Sequence, residues 1–146
     1  MNVFTGLNIN ASGLALERLK LDTISTNIAN ANTHQTAEGE AYRRKSVDFS
    51  ESLKQVQQSQ TDRLMPTREM SFGVKVDGIR QDDEVITSYD PTNPNADENG
   101  YIEQSNVNVA DEMVQMIEAL RTYEANASSL EANKLIIKKA LEISKD

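Results

Sequence analysis

The chain of 146 residues contains no cysteine and no tryptophan, and His34 is its only histidine. Without cysteine it forms no disulfide and offers no thiolate as a nucleophile or metal ligand. A lone histidine has no cysteine to activate for nucleophilic catalysis and cannot form a histidine metal cluster. We therefore expect His34 to be a solvated loop residue.

Long hydrophobic runs are also missing. No stretch approaches the roughly 18 apolar residues that a membrane span requires. The first residues carry no positive charge and no continuous apolar core before Glu17 and Arg18, so we expect no cleaved signal peptide and no direct membrane span. On these grounds the protein is cytoplasmic, or it leaves the cell by a route that needs no cleaved signal.

Apolar residues are scarce as well, at 38% of the chain, with 5% aromatic and a mean hydropathy of -0.57. A typical soluble domain has about 45–50% apolar residues when glycine is counted. A chain this lean is partly disordered alone or completes its core with a neighbour's surface. Its 23 acidic and 15 basic residues give a net charge of -8, which disfavours nucleic acid as the main partner.

The charges are segregated along the sequence. Residues 43–80 hold eight basic and five acidic side chains, a net charge of +3, whereas residues 81–118 hold ten acidic and no basic ones, a net charge of -10. One interpretation is a solvated acidic loop. The other is electrostatic complementarity between copies of the chain, or with a related chain.

Apolar residues near the beginning of the chain recur at a helical period. Leu7, Leu14, Leu21 and Ile28 are seven residues apart, and Ile24 follows Leu21 after three. This spacing predicts a helix over about residues 4–31.

The end of the chain shows a cleaner pattern, with steps of four and three residues from Val109 onwards. Asn108 can cap the resulting helix, which we predict over residues 109–146. Such alternation is what a coiled-coil seam requires. Nine of the eleven seam positions are apolar: Val109, Met113, Met116, Leu120, Tyr123, Ala127, Leu130, Lys134, Ile137, Leu141 and Ser144, of which Lys134 and Ser144 are polar.

Residues 34–106 contain all three prolines and four of the six glycines. Residues 42–49 read as extended, 72–76 and 85–89 read as strands with a possible turn between them, and 50–64 read as a short helix or mobile loop. The predicted fold is mainly α, with long N- and C-terminal helices paired as a coiled coil and a small β-rich or extended middle element. We predict a discontinuous assembly domain, 1–33 plus 107–146, and a middle region of extended and β-hairpin segments with loops, 34–106.

One loop has the residue types of a calcium site. NADENGYIEQSN, residues 95–106, aligns on Gly100 with a calcium-binding EF-hand loop. Its twelfth position is Asn106 where a bidentate glutamate is needed, and Pro91 and Pro94 prevent a helix from running directly into the loop. We therefore expect a hydrogen-bonded turn with no metal.

The first predicted helix ends in DTISTNIANANTH, which is unusually rich in asparagine, serine and threonine for a helix. DTISTNIANANT resembles the N-terminal signature of the rod, hook and filament-junction proteins of the bacterial flagellar axial family. EGEAYRRKSVDF and YDPTNPNADENGYIEQSNVNVADEMVQMIEALRTYEANASSLEANKLIIKKALEI resemble the rod members of that family. The resemblance covers most of the chain and is weakest over residues 50–71.

The resemblance implies a structural subunit of the proximal rod of the flagellar basal body, with no enzymatic activity and no cofactor. Its terminal helices would pair as the inner layer of a helical tube that acts as a drive shaft for motility. Export would use the flagellar type III apparatus without signal cleavage. Partners would be other rod proteins, copies of the chain, and ring and export-gate components. The alternative is a soluble coiled-coil adaptor or export chaperone.

The residues expected at the assembly interface are those of the two apolar stripes and two polar residues beside the first stripe. We expect the amides of Asn27 and Asn30 to find donors and acceptors on a neighbouring subunit. The full set is Leu7, Leu14, Leu21, Ile24, Asn27, Ile28, Asn30, Val109, Met113, Met116, Leu120, Tyr123, Leu130, Ile137 and Leu141.

Overall fold

A computed structural model describes residues 3–37, 39–56 and 68–143. Helices lie at both ends of this described part, and strands lie between them, which confirms the predicted helical fold with a small β-rich middle. The elements are α1 (Val3–Ala29), β1 (Lys45–Val56), β2 (Arg68–Gln81), β3 (Ile86–Tyr89), β4 (Tyr101–Gln104) and α2 (Val109–Ile143).

The helix boundaries agree with the sequence signals. Asn108 caps α2, since its Oδ1 accepts a hydrogen bond from the Ala110 backbone N–H at 3.0 Å. Asp111 and Glu112 occupy the first turn, where carboxylates favour the positive end of the helix dipole. The predicted extension of this helix over residues 144–146 lies outside the described residues.

The strands differ from the prediction in extent and pairing. β1 pairs with β2, and β3 forms an antiparallel hairpin with β4 in which Ile86 is opposite Gln104 and Tyr89 is opposite Tyr101. The two strands foreseen from the sequence therefore belong to different sheets, and β4 was not foreseen. Residues 50–56 are strand, so the expected helix or loop is wrong there, and residues 57–64 lie outside the described part.

The chain divides into two compact units, and each contains part of both helices. The predicted assembly domain, which joins the whole of both termini, stays a prediction. The first unit comprises Met1–Arg18, Phe49–Asp77 and Arg121–Asp146, and the second comprises Leu19–Asp48 and Gly78–Leu120.

In the first unit, α1 and α2 touch through small and polar residues. Asn10 Nδ2 donates a hydrogen bond to Ser129 Oγ at 3.0 Å. A Cβ atom placed on Gly13 would lie 2.8 Å from Asn126 Nδ2, so a larger residue there would displace the Asn126 amide. Asn10 contacts Ser129, and the later residue Gly13 contacts the earlier residue Asn126. The two helices are therefore antiparallel there.

In the same unit, β2 approaches α1 closely at Gly73, which has no side chain. Gly73 has a φ of +101°, and a Cβ atom there would overlap Ser12 Oγ and lie 3.1 Å from Ile9 Cα. Ser12 Oγ donates to Ile9 O at 2.7 Å and accepts from the Val74 backbone N–H at 3.2 Å. The serine hydroxyl thus ties the strand directly to the helix.

The second unit has a small apolar core. Polar side chains are buried beside it, among them Asn27 and Glu112 at 1% exposure each. With so little apolar area removed from water, the hydrogen bonds of these polar groups matter more than usual. The buried apolar residues described in this unit are Ile24, Ala41, Tyr42, Ile102 and Ala119.

Neither α1 nor α2, as far as the structure describes them, is long and apolar enough to cross a membrane.

We predict that Gly100→Ala destabilises the second unit. Gly100 has a φ of +83°, and an added Cβ would lie 3.0 Å from the Tyr89 ring and 3.1 Å from Pro91 Cβ. Such strain costs about 1–3 kcal/mol. Urea unfolding followed by tyrosine fluorescence measures the loss. Gly78→Ala is the matched control, because nothing lies within 4 Å of its added Cβ, and we expect its stability to change by less than about 0.5 kcal/mol. Equal stability of the two variants would contradict the prediction.

Candidate assembly interface

Asn27 is the most fully bonded polar side chain of the second unit. Its Nδ2 donates to the Lys45 carbonyl at 2.8 Å and to Glu112 Oε2 at 2.9 Å. Its Oδ1 accepts from the Tyr42 hydroxyl at 2.9 Å and from the Lys45 backbone N–H at 3.0 Å. An asparagine amide has two donor hydrogens and two acceptor lone pairs, so its whole capacity is used inside the chain.

This bonding corrects one expectation. Asn27 was expected to need a neighbouring subunit for its hydrogen bonds, and that prediction is wrong because Tyr42, Lys45 at the start of β1 and Glu112 on α2 supply every partner. Asn30 is half-buried, and its Nδ2 donates to the Thr26 carbonyl at 2.9 Å while its Oδ1 accepts from Thr33 Oγ1 at 3.2 Å. These bonds are local to the end of α1, so the role of Asn30 at an interface stays a prediction.

Glu112 and Arg44 extend the network. Arg44 Nε donates to Glu112 Oε1 at 2.6 Å, and the arginine side chain is 27% exposed against 1% for the glutamate. Arg44 also bonds Gln115 Oε1 at 3.1 Å, and its backbone N–H bonds Asn106 Oδ1 at 2.7 Å. A buried carboxylate is tolerated because it is both paired and hydrogen-bonded. We call Asn27, Tyr42, Arg44 and Glu112 the Asn27 network.

Tyr42 completes this network with its phenol. The ring is buried at 7% exposure, and its hydroxyl donates to Asn27. Burial raises the pKa of Tyr42, and the nearby Glu112 carboxylate raises it further, since both disfavour a phenolate. Its donating role therefore persists to unusually high pH.

The expected interface residues fall into three groups by exposure. Ile24 is buried at 6% inside the second unit, so it is not available to a neighbour. Five on α2 are exposed: Val109, Met113, Leu120, Tyr123 and Leu141. The half-buried ones are Leu7, Leu14, Leu21, Ile28, Met116, Leu130 and Ile137.

Further large apolar side chains of α2 are exposed beyond the predicted set. Together with the five above they leave much of the apolar area of α2 in water, and exposed apolar area of this kind marks interaction sites. The helix turns small and polar groups, such as Asn126 and Ser129, toward α1 and leaves many aliphatic groups in water. The sequence analysis did not single out Leu135, Ile136 and Ile143. The additional exposed residues are Val114, Ile117, Leu135, Ile136 and Ile143.

The loop that resembled a calcium site is a hydrogen-bonded turn. Asp97 Oδ1 accepts from the backbone N–H groups of Tyr101 at 2.8 Å and Asn99 at 2.9 Å. The bond from the Tyr101 N–H is the main reason that the pKa of Asp97 is lowered. The carboxylate stabilises the β3–β4 connection by this bonding.

Comparison with known proteins identifies relatives over the whole chain. Residues 7–34 match the family described as "Flagella basal body rod protein", and residues 98–143 match "Flagellar basal body rod FlgEFG protein C-terminal". The flagellar basal-body rod protein FlgC of Bacillus subtilis is 36% identical, covering 99% of this chain and all of the relative. The FlgC proteins of Borreliella burgdorferi and Salmonella typhimurium are 35% and 34% identical, each covering 98% of this chain and 98% and 96% of the respective relative.

We predict that Asn27→Leu destabilises the second unit by at least about 3 kcal/mol. The change leaves the part-buried backbone N–H and C=O of Lys45 and the buried Tyr42 hydroxyl without these partners, and each unsatisfied buried group costs about 1–3 kcal/mol. Urea unfolding of the full chain measures the loss. Asn30→Leu is the control, expected to cost less than about 1 kcal/mol because it breaks two more exposed local bonds. A smaller loss for Asn27→Leu than for Asn30→Leu would overturn this account.

Stability should also fall at alkaline pH because the folded chain raises the pKa of Tyr42. The neutral phenol is favoured in the folded state, so its contribution is complete below the unfolded pKa of about 10 and is lost as pH rises through the higher folded pKa. Urea unfolding at a series of pH values tests this. Tyr42→Phe should be less stable at neutral pH but show a shallower alkaline decline. An unchanged slope in the variant would contradict the assignment.

Proposed function

The chain belongs to the family of the flagellar basal-body rod protein FlgC, a structural and non-enzymatic rod subunit, and on that premise we propose how it assembles. The exposed apolar surface of α2, with the half-buried apolar residues of α1, forms its contact with neighbouring subunits. Neighbours would be other rod proteins and further copies of the chain.

One observation carries this proposal: the two helices meet through glycine and polar groups while their aliphatic side chains remain in water. Leu120 is 45% exposed, Met113 56% and Leu141 62%. Removing such a side chain fully from water is worth about 1.5–3 kcal/mol, so several together favour association strongly. A chain with its apolar residues arranged this way gains most of its burial from neighbours.

The finer points of the function also belong to the proposal. The helix pair would form a coiled-coil inner layer of the tubular proximal rod, with the strands outside it. Export through the flagellar type III apparatus and contacts with ring and export-gate components are supported by family membership. That membership also favours the rod over a coiled-coil adaptor or export chaperone.

We predict that Met113→Ser combined with Leu120→Ser abolishes assembly without unfolding the chain. Both side chains are exposed in the subunit, so each change should alter its stability by no more than about 0.5 kcal/mol. The measurements are sedimentation of the chain with purified basal bodies and swimming of the cells. We expect neither in the variant.

Ser128→Ala, also on the exposed part of α2, is the control and should assemble normally. Swimming and sedimentation of the double variant at wild-type levels would refute the proposed interface.

A further inference from the structure

The two ends of α2 carry opposite charges. Its first twelve residues, Val109–Leu120, include Asp111, Glu112 and Glu118 and no basic residue. Its last twelve, 132–143, include three lysines and one acidic residue, Glu142. We call these the acidic end and the basic end; the lysines are Lys134, Lys138 and Lys139.

Most of these charges lie at the surface. Glu112 is buried in the Asn27 network, but Asp111 and Glu118 are exposed, as are the three lysines. Lys139 Nζ is 2.8 Å from Glu142 Oε2, yet the two side chains are 66% and 50% exposed. A solvated pair of this kind contributes about 0–1 kcal/mol, so it gives way easily to another partner.

The acidic end also borders a groove of about 550 Å³. Asp82 and Glu84 line it together with Asp111 and Glu118, and Val114 supplies an apolar wall. Arg44 is the one basic residue among its lining groups, and it is already bonded to Glu112 and Gln115. The groove thus presents carboxylates beside an apolar surface.

Within each end, a charged residue recurs or meets a small residue at an interval of seven. Asp111 and Glu118 lie on one side of the acidic end, and Ala132 and Lys139 lie on one side of the basic end. The small side chain of Ala132 permits close approach of another helix. Exposed aliphatic residues accompany each end, Val114 at 57% exposure near the carboxylates and Ile136 at 62% near the lysines.

We propose that the acidic end of α2 in one copy docks on the basic end of α2 in a second copy. This inference rests on the proposed function and names the partner of its interface. A single such contact leaves the basic end of the first copy and the acidic end of the second copy open, so further copies can add. The aliphatic residues supply affinity, and the charges select which ends meet.

Charge explains why an acidic end should bind a basic end and not a second acidic end. A symmetric contact of two acidic ends would bring Asp111 and Glu118 of both copies together, and two basic ends would bring their lysines together. Like charges at an interface oppose association, whereas opposite charges guide the partners into register. Contact of an acidic end with a basic end brings exposed apolar residues together with matched charges.

A charge-exchange experiment tests whether the acidic end of one copy meets the basic end of another. Full-length chains with Lys138→Glu and Lys139→Glu, or with Asp111→Lys and Glu118→Lys, are produced singly and together in cells that lack the wild-type chain. We expect each variant alone to be lost from the basal-body pellet and the pair to restore it, because each then offers the other an opposite charge. Either variant pelleting alone at the wild-type level, or no recovery with the pair, overturns the proposal.

Glu124→Lys with Glu131→Lys is the matched control, since it reverses two exposed charges between the ends. It should pellet like the wild type. A loss as large as that of the end variants would overturn the proposal, because it would show that any charge reversal on α2 blocks assembly.

Photocrosslinking identifies the occupant. The chain has no cysteine, so Glu118→Cys introduces a single site for a maleimide–benzophenone reagent in purified basal bodies. We expect an adduct of twice the chain mass, with the crosslink mapped by mass spectrometry to residues 132–143 of the second copy. An adduct with a different protein, or no adduct at those residues, overturns the inference. Absence of the chain from the basal bodies would instead refute the proposed function.

Discussion

The second unit depends on one amide. Asn27 joins α1 to the Lys45 backbone, to Tyr42 and to Glu112, with four hydrogen bonds between 2.8 and 3.0 Å. The apolar core around it is too small to orient these elements by packing alone. Glu112 then positions Arg44, so the beginning of β1 and the first turn of α2 are held by the same network. The acidic end of α2 is held in position by the Asn27 network.

Polar contacts within the chain leave apolar groups for its neighbours. In a monomeric helical protein the aliphatic stripe of each helix is buried and the polar face is exposed to solvent. Here Asn10 meets Ser129 and Gly13 meets Asn126, while Met113 and Leu141 are more than half exposed. The proposed assembly would also account for the low apolar content of the chain, because neighbouring subunits would supply the missing core. In the proposed assembly, polar groups give specificity inside the subunit and apolar groups give affinity between subunits.

Much of the fold could be predicted because periodicity is a local property. The repeats at Leu7 and Leu14 and the steps from Val109 indicate both helices nearly to their ends. Periodicity shows which residues avoid water, but it does not show which part of the protein covers them. It therefore did not reveal that contacts inside the chain use Gly13 and Asn27, each one position before an apolar residue of the repeat. The Arg44–Glu112 pair joins positions 68 apart, and no local pattern reveals such a partner. The pairing of β1 with β2 depends on contacts equally remote in sequence.

The bond between Asn27 and residue 45 has a consequence for sequence variation. Asn27 accepts from the backbone N–H of Lys45 and donates to its carbonyl, as a residue in an adjacent strand would. The recognised group is a peptide unit, and nearly every amino acid offers the same one. Position 45 can therefore vary without loss of these two bonds, with proline excluded because it has no N–H. Position 27 has no such freedom, because Asn and Gln are the only side chains that carry both amide groups and Gln is one methylene longer.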